Sequence, residues 1–184
     1  MTIAASRLAV LLIGAVAATS ASAVTGSEGF YYNSVEVAQL DWTTVGSSTS
    51  FALDLLTAPN ANAFGFSIEF NGPNGAFADT DTTTHSTGIY GSHVDAGYTY
   101  TWDVKFPTAN NTNRLTLGET ATWTIASAGP FVPDMPLLHL NSFTTNGQSV
   151  KLCGVSLVPE PGSGALLLAG LAGLGLLARR RQTR

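Results

Sequence analysis

The chain has 184 residues, enough for one domain with a real core, and its 8 basic and 12 acidic side chains give a net charge of −4. That total hides a division. Between Val24 and Leu157 only Lys105, Arg114 and Lys151 oppose eleven acidic residues, a net of −8, while the other arginines sit at the two ends. Such a segment lacks the basic surface that phosphates require, which excludes nucleic acid as a partner.

The amino end carries Arg7, an apolar run from Leu8 to Ala18, and then Ala21-Ser22-Ala23, a small-residue cleavage pattern. Residues 1–23 therefore read as a signal peptide, with Val24 first in the mature chain. No cysteine follows the apolar run, so a lipoprotein signal is excluded.

From Val24 to Asn33 the chain reads as a lead-in containing the aromatic cluster Phe30-Tyr31-Tyr32. Val35, Val37, Leu40 and Trp42 then mark a strand near 34–42, and Phe51, Leu53 and Leu55 a second over 50–57, closed by Pro59. Phe64, Phe66, Ile68 and Phe70 alternate with Gly65, Ser67 and Glu69, the period-two pattern of a half-buried antiparallel strand. Asn71 to Gly75 supplies turn residues, and Asp79 to Gly91 a threonine-rich loop with a short strand near 88–90.

The strongest alternation follows. Tyr98, Tyr100, Trp102, Val104 and Phe106 face one way, and Thr99, Thr101, Asp103 and Lys105 the other. Five large apolar side chains in one row need a second layer to cover them. Arg114–Leu117, then Ala121, Trp123 and Ile125, then Leu138 and Leu140, then Val150 and Leu152 supply the remaining strands. About eight short strands with no helical period predict an all-β fold, a single β-sandwich of jelly-roll or immunoglobulin-like type over 24–157. Cys153 is the only cysteine, so no internal disulfide forms; it is expected as a buried small side chain in the last strand.

Chemistry is sparse. Asp79, Asp81, His85, His93 and Asp95 form the richest polar set, and carboxylates with imidazoles suit a divalent cation. Read as a calcium loop from Asp79, however, the sixth position is Thr84 in place of glycine and the twelfth Tyr90 in place of glutamate. Asp79 and Asp81 remain weak candidates and the expectation is a solvated loop with no metal and no cofactor. His139 has no G-x-S-x-G or H-E-x-x-H motif to accompany it, so no catalytic residue is assigned and the protein is expected not to be an enzyme. Thr99, Thr101, Thr122 and Thr124 fall on outward strand faces, the ordinary place for threonine.

The carboxyl end carries the most specific pattern. Val158-Pro159-Glu160-Pro161 holds the backbone extended, residues 162–178 carry no charge, and Arg179, Arg180 and Arg181 follow at once in the basic tail 179–184. Seventeen residues make a helix of about 25 Å, at the lower limit for a bilayer core of roughly 30 Å. The arginines would stay in the cytoplasm and leave the body outside it.

These three parts in this order resemble the PEP-CTERM protein-sorting signal of Gram-negative bacteria. The resemblance implies that Val158 to Pro161 is recognised by an exosortase, that Arg179 to Arg181 stop transfer, and that a precursor held in the inner membrane by the helix 162–178 is cut and released to the cell surface or matrix. It further implies an association with exopolysaccharide and biofilm. Similar tails occur on some ice-binding proteins, and a sandwich with exposed polar loops and aromatic residues could stack on sugar faces, so a carbohydrate- or ice-binding module is the second expectation, and a secreted hydrolase the last.

Overall fold

The computed structural model describes residues 23–109 and 113–156. Ala21 and the rest of the signal peptide before Ala23, the sorting motif at Val158 to Pro161, the apolar segment 162–178 and Arg179 to Arg181 lie outside the described residues.

Among the described residues the fold is all-β, with ten strands: β1 (Val24–Tyr32), β2 (Val35–Val45), β3 (Ser48–Leu55), β4 (Phe64–Asn71), β5 (Gly75–Asp79), β6 (Thr87–Asp95), β7 (Tyr98–Lys105), β8 (Thr120–Ser127), β9 (Asp134–Asn141) and β10 (Val150–Ser156). The lead-in is itself a strand, paired along its whole length with β2. The two join at Asn33 and Ser34, both at positive φ, as a two-residue hairpin of the primed type demands. Arg114–Leu117 contributes only an isolated bridge from Thr116 to Phe64.

All ladders are antiparallel, in the order β5-β8-β3-β2-β1-β10-β9-β4-β7-β6. The expected second layer is therefore not a separate sheet. One sheet folds over and nearly closes as a barrel, with Phe77 of β5 packed on Gly88 of β6 where its two edges meet. The fold-over lies in β10. Val150–Cys153 pair with β9 while Gly154–Ser156 pair with β1, so one strand serves both halves, as corner strands do. Gly154 is required at the bend, because a Cβ there would overlap the Glu28 carboxylate and come within 2.7 Å of Pro136 Cγ.

Between the halves runs an aromatic column. Trp123 of β8 stacks on Phe51 of β3 with ring centroids 5.3 Å apart, Phe51 on Phe70 of β4 at 5.4 Å, and Phe70 on Trp102 of β7 at 6.5 Å. Each of these rings is almost wholly buried, and Trp102 Nε1 donates to the Pro73 carbonyl at 2.9 Å. This non-directional burial, with no disulfide to assist it, is what holds the fold.

Two expectations of facing fail for one reason. The β4–β9 register slips between Gly65 and Ser67, so Gly65, not Phe64 or Phe66, faces inward, where Leu115 would lie 2.8 Å from any added Cβ. A bulge shifts the phase of every side chain beyond it. Phe66 is thereby turned onto His139, with centroids 4.8 Å apart, and Phe64 beneath the Arg114 guanidinium. Cys153 is exposed, against expectation, because Leu152 takes the inward phase of β10.

Candidate functional site

The outer face of the β9-β4-β7 half holds the most unusual chemistry among the described residues. Ile68 and Phe70 point inward, so Glu69 must point out, opposite Asp103 on β7 and Leu137 on β9. An outward glutamate normally meets water, yet Glu69 is only 7% exposed.

The cover comes from the β6–β7 hairpin. Its register slips between Tyr90 and His93, and the strand opposite is pinned at Thr101, whose Oγ1 accepts from Gly72 N–H and donates to the Gly72 carbonyl, both at 2.9 Å. Alternation would place Tyr100 beside Trp102 in the aromatic column. It is buried yet stands outside the hydrophobic core, and Asp95 near the hairpin's tip reaches Lys151 of β10, so beyond the bulge the hairpin lies against the outside of the sheet. Ala96 and Gly97, both at positive φ, close its tip, and Lys151 of β10 pairs with Asp95.

Under this flap a carboxylate oxygen of Glu69, an imidazole nitrogen of His93 and a carboxylate oxygen of Asp103 lie within 4.8 Å of one another. Asp103 is oriented by Lys105, whose Nζ is 3.1 Å from Oδ2. His93 Nδ1 lies 3.2 Å from the Gly91 carbonyl. A carbonyl can only accept, so Nδ1 carries a proton, and in that tautomer the lone pair is at Nε2.

The electrostatics follow from enclosure. Burial pushes the Glu69 carboxyl up to about 7, the carboxylates of Asp95 and Asp103 push it the same way, and Lys151 opposes them. The hydrogen bond from Lys151 holds Asp95 below the usual carboxylate range. Burial drives the Tyr100 hydroxyl up to about 12, and burial followed by the Lys151 charge holds His139 low.

The candidate set read from the sequence divides between two places. Asp79 and His85 do meet, with Nδ1 2.8 Å from Oδ2, but the remaining acceptors of Asp79 face Ser86 and the Asp81 amide. Asp81 Oδ1 accepts from both the amide and hydroxyl of Thr83 at 2.8 Å. Burial raises Asp81, but these bonds outweigh it and hold the group below its ordinary value. Asp79 and Asp81 thus brace their own loop. His93 belongs with Glu69 and Asp103, which sequence reasoning missed; the available signal was that both acids take the outward phase of the two most apolar strands.

Glu28 is the second enclosed carboxyl, 7% exposed at the seam of β1 and β10 and raised to about 7 by burial and then by Asp134. On the opposite outer face, cross-strand register sets Thr25, Thr43, Ser50 and Thr124 in one row over β1, β2, β3 and β8. A shallow groove of about 440 Å³ runs there, lined by Asp41, Thr43, Ser50, Thr80, Thr122 and Thr124 among others.

A family model described as the PEP-CTERM protein-sorting motif matches residues 157–182, beginning one residue after β10 ends. No curated protein and no solved structure matches the chain.

Proposed function

We propose, from the premise that this chain carries a PEP-CTERM protein-sorting motif, that it is exported as a membrane-held precursor, cut by an exosortase near Val158 to Pro161, and released as a non-enzymatic β protein of the envelope or matrix associated with exopolysaccharide. The observation that carries this reading is the 157–182 match, in which the proline-acid-proline peptide, the uncharged run and the arginines stand in order.

The position of the match gives the reading a physical consequence. Ser156 is still hydrogen-bonded within the sheet, and five residues, 157–161, separate it from the uncharged run. Fully extended they reach about 18 Å, so the folded body would stand close against the membrane while the motif is read. The non-enzymatic reading is supported by the lack of a nucleophile motif and by the enclosure of Glu69.

Mass spectrometry of the protein from its native host, and from the same host without its exosortase, tests the reading. A carboxyl terminus near the motif in the first and an intact tail in the second are expected. An intact tail in both would overturn it.

A second reading has one observation in its favour. The row Thr25, Thr43, Ser50 and Thr124 presents regularly spaced hydroxyls over a shallow groove, a surface suited to a hydroxylated polymer or to ice. It is compatible with the first, because sorting decides where the protein goes and the face decides what it touches there.

A further inference from the structure

We propose that Glu69, His93 and Asp103 form a binding site for a divalent cation of the zinc class. Three buried lone-pair atoms carry the inference: Glu69 Oε2, His93 Nε2 and Asp103 Oδ1, none of which has a hydrogen-bond partner. Their residues offer ligand atoms that lie within 4.8 Å of one another. An enclosed acceptor without a donor is costly, and two carboxylates so close repel each other as well. A cation shared by all three removes both penalties.

The surroundings prepare these atoms for a metal. The Gly91 carbonyl fixes the His93 tautomer through Nδ1 and leaves Nε2 as the donor, and Lys105 holds Asp103 by Oδ2 and leaves the buried Oδ1 without a partner. Supporting contacts of this kind orient ligands in metal sites. Tetrahedral zinc with bonds of about 2.0–2.2 Å needs its ligand atoms about 3.4 Å apart, so closure by roughly an ångström on side-chain rotation suffices. Three ligands with one imidazole suit zinc or a neighbouring first-row ion, whereas calcium takes six to eight oxygens. Two carboxylates and a neutral imidazole neutralise a charge of +2.

The site would also explain the flap. His93 comes from β6, Glu69 from β4 and Asp103 from β7, so a shared ion would tie the folded-over hairpin to the sheet beneath it. Sorting does not depend on this, and the inference stands whether or not the tail is cut.

The test is zinc titration of the full chain in detergent, with Cys153→Ser to remove the exposed thiol, followed by calorimetry and thermal unfolding. One ion per chain and a higher Tm are expected. E69Q, H93Q and D103N should each weaken binding by more than the 10–100-fold typical of supporting residues. H85Q, in the exposed Asp79–His85 pair, should not change it. No saturable binding, full binding in H93Q, or loss in H85Q would each overturn the proposal. Should a variant fail to fold, the ¹⁵N shift of His93 Nε2 in the unsubstituted ring decides: it moves on zinc addition if the site exists, and an unmoved signal overturns it.

Discussion

The two outer faces of this sheet are built from the same alternating strands and end in opposite states. Over β1, β2, β3 and β8 the outward side chains are mostly short polar groups, several paired with one another, as in Gln39 to Ser27 and Asp41, Thr80 to Thr122, and Thr120 to Asp54, with Glu36 Oε1 the exception that stays unpartnered. Over β9, β4 and β7 they are carboxylates, an imidazole and lysines, roofed by the chain's own hairpin and partly unpartnered. Regular strands leave an outward residue in water, and bulged strands can bury one. Unpaired buried charge is costly, so where it is retained it points to a role that packing does not supply.

The strongest way to break the contrast is at the strand that joins the two faces. Gly154→Val puts a branched side chain onto Glu28 and Pro136 at the bend of β10. Overpacking of this kind costs about 1–3 kcal/mol, and the ring of Pro136 can give way less than the Glu28 side chain. Urea unfolding should show the loss, with both halves failing in a single transition because β10 belongs to each. Separate transitions for the two halves would show that the sheet is not one cooperative unit.

Gly154 also marks the limit of what the residues alone disclose. The inward phases of Leu40, Trp42, Phe51, Leu53, Trp102, Val104, Trp123 and Ile125 are legible by alternation, and all of them are buried. Phe64 and Phe66 are not, because the insertion between Gly65 and Ser67 leaves no trace in a period-two pattern, and Tyr98, from the same row as the buried Tyr100, is exposed. The same gap hid the cluster. Outward phases for Glu69 and Asp103 are legible strand by strand, but their adjacency depends on β4 pairing with β7 across an intervening stretch of about thirty residues, and local pattern does not specify partners. His93 was visible as a ligand type with the wrong companions, since nearness in sequence suggested Asp79. The sorting motif at 157–182 was legible, because its proline-acid-proline peptide, uncharged run and arginines stand in order along the chain and need no partner strand to be read.

A second prediction sharpens the comparison through pH. Glu28 is enclosed at the seam, and burial followed by Asp134 raises its carboxyl from 4.5 to about 7 in the folded protein. The folded state thus holds this proton more tightly than the unfolded chain does. Its contribution to stability is complete below about pH 4.5 and is lost as pH rises through about 7, a change of between about 1 and 3 kcal/mol. Tm should therefore fall between pH 5 and pH 8, and Glu28→Gln, which cannot ionise, should reduce that slope and leave the part due to Glu69. An unchanged slope in the variant would place the titration elsewhere.

The smallest effect is expected on the hydroxyl face, and there smallness is the point. Thr43 is exposed, Thr124 half-buried, and neither side chain takes part in the core. Replacing each by alanine should change stability by less than about 0.5 kcal/mol, the usual range for surface positions. If the row contacts exopolysaccharide, the double variant Thr43→Ala, Thr124→Ala should nonetheless lose retardation in a gel containing the host polymer, since a ligand spanning several strands meets both positions at once. Stability and retention would then separate on this face, whereas Glu69→Gln on the other should alter zinc affinity and stability together. Retardation that survives the double variant would leave the hydroxyl row as ordinary strand surface and assign any matrix contact to another part of the protein.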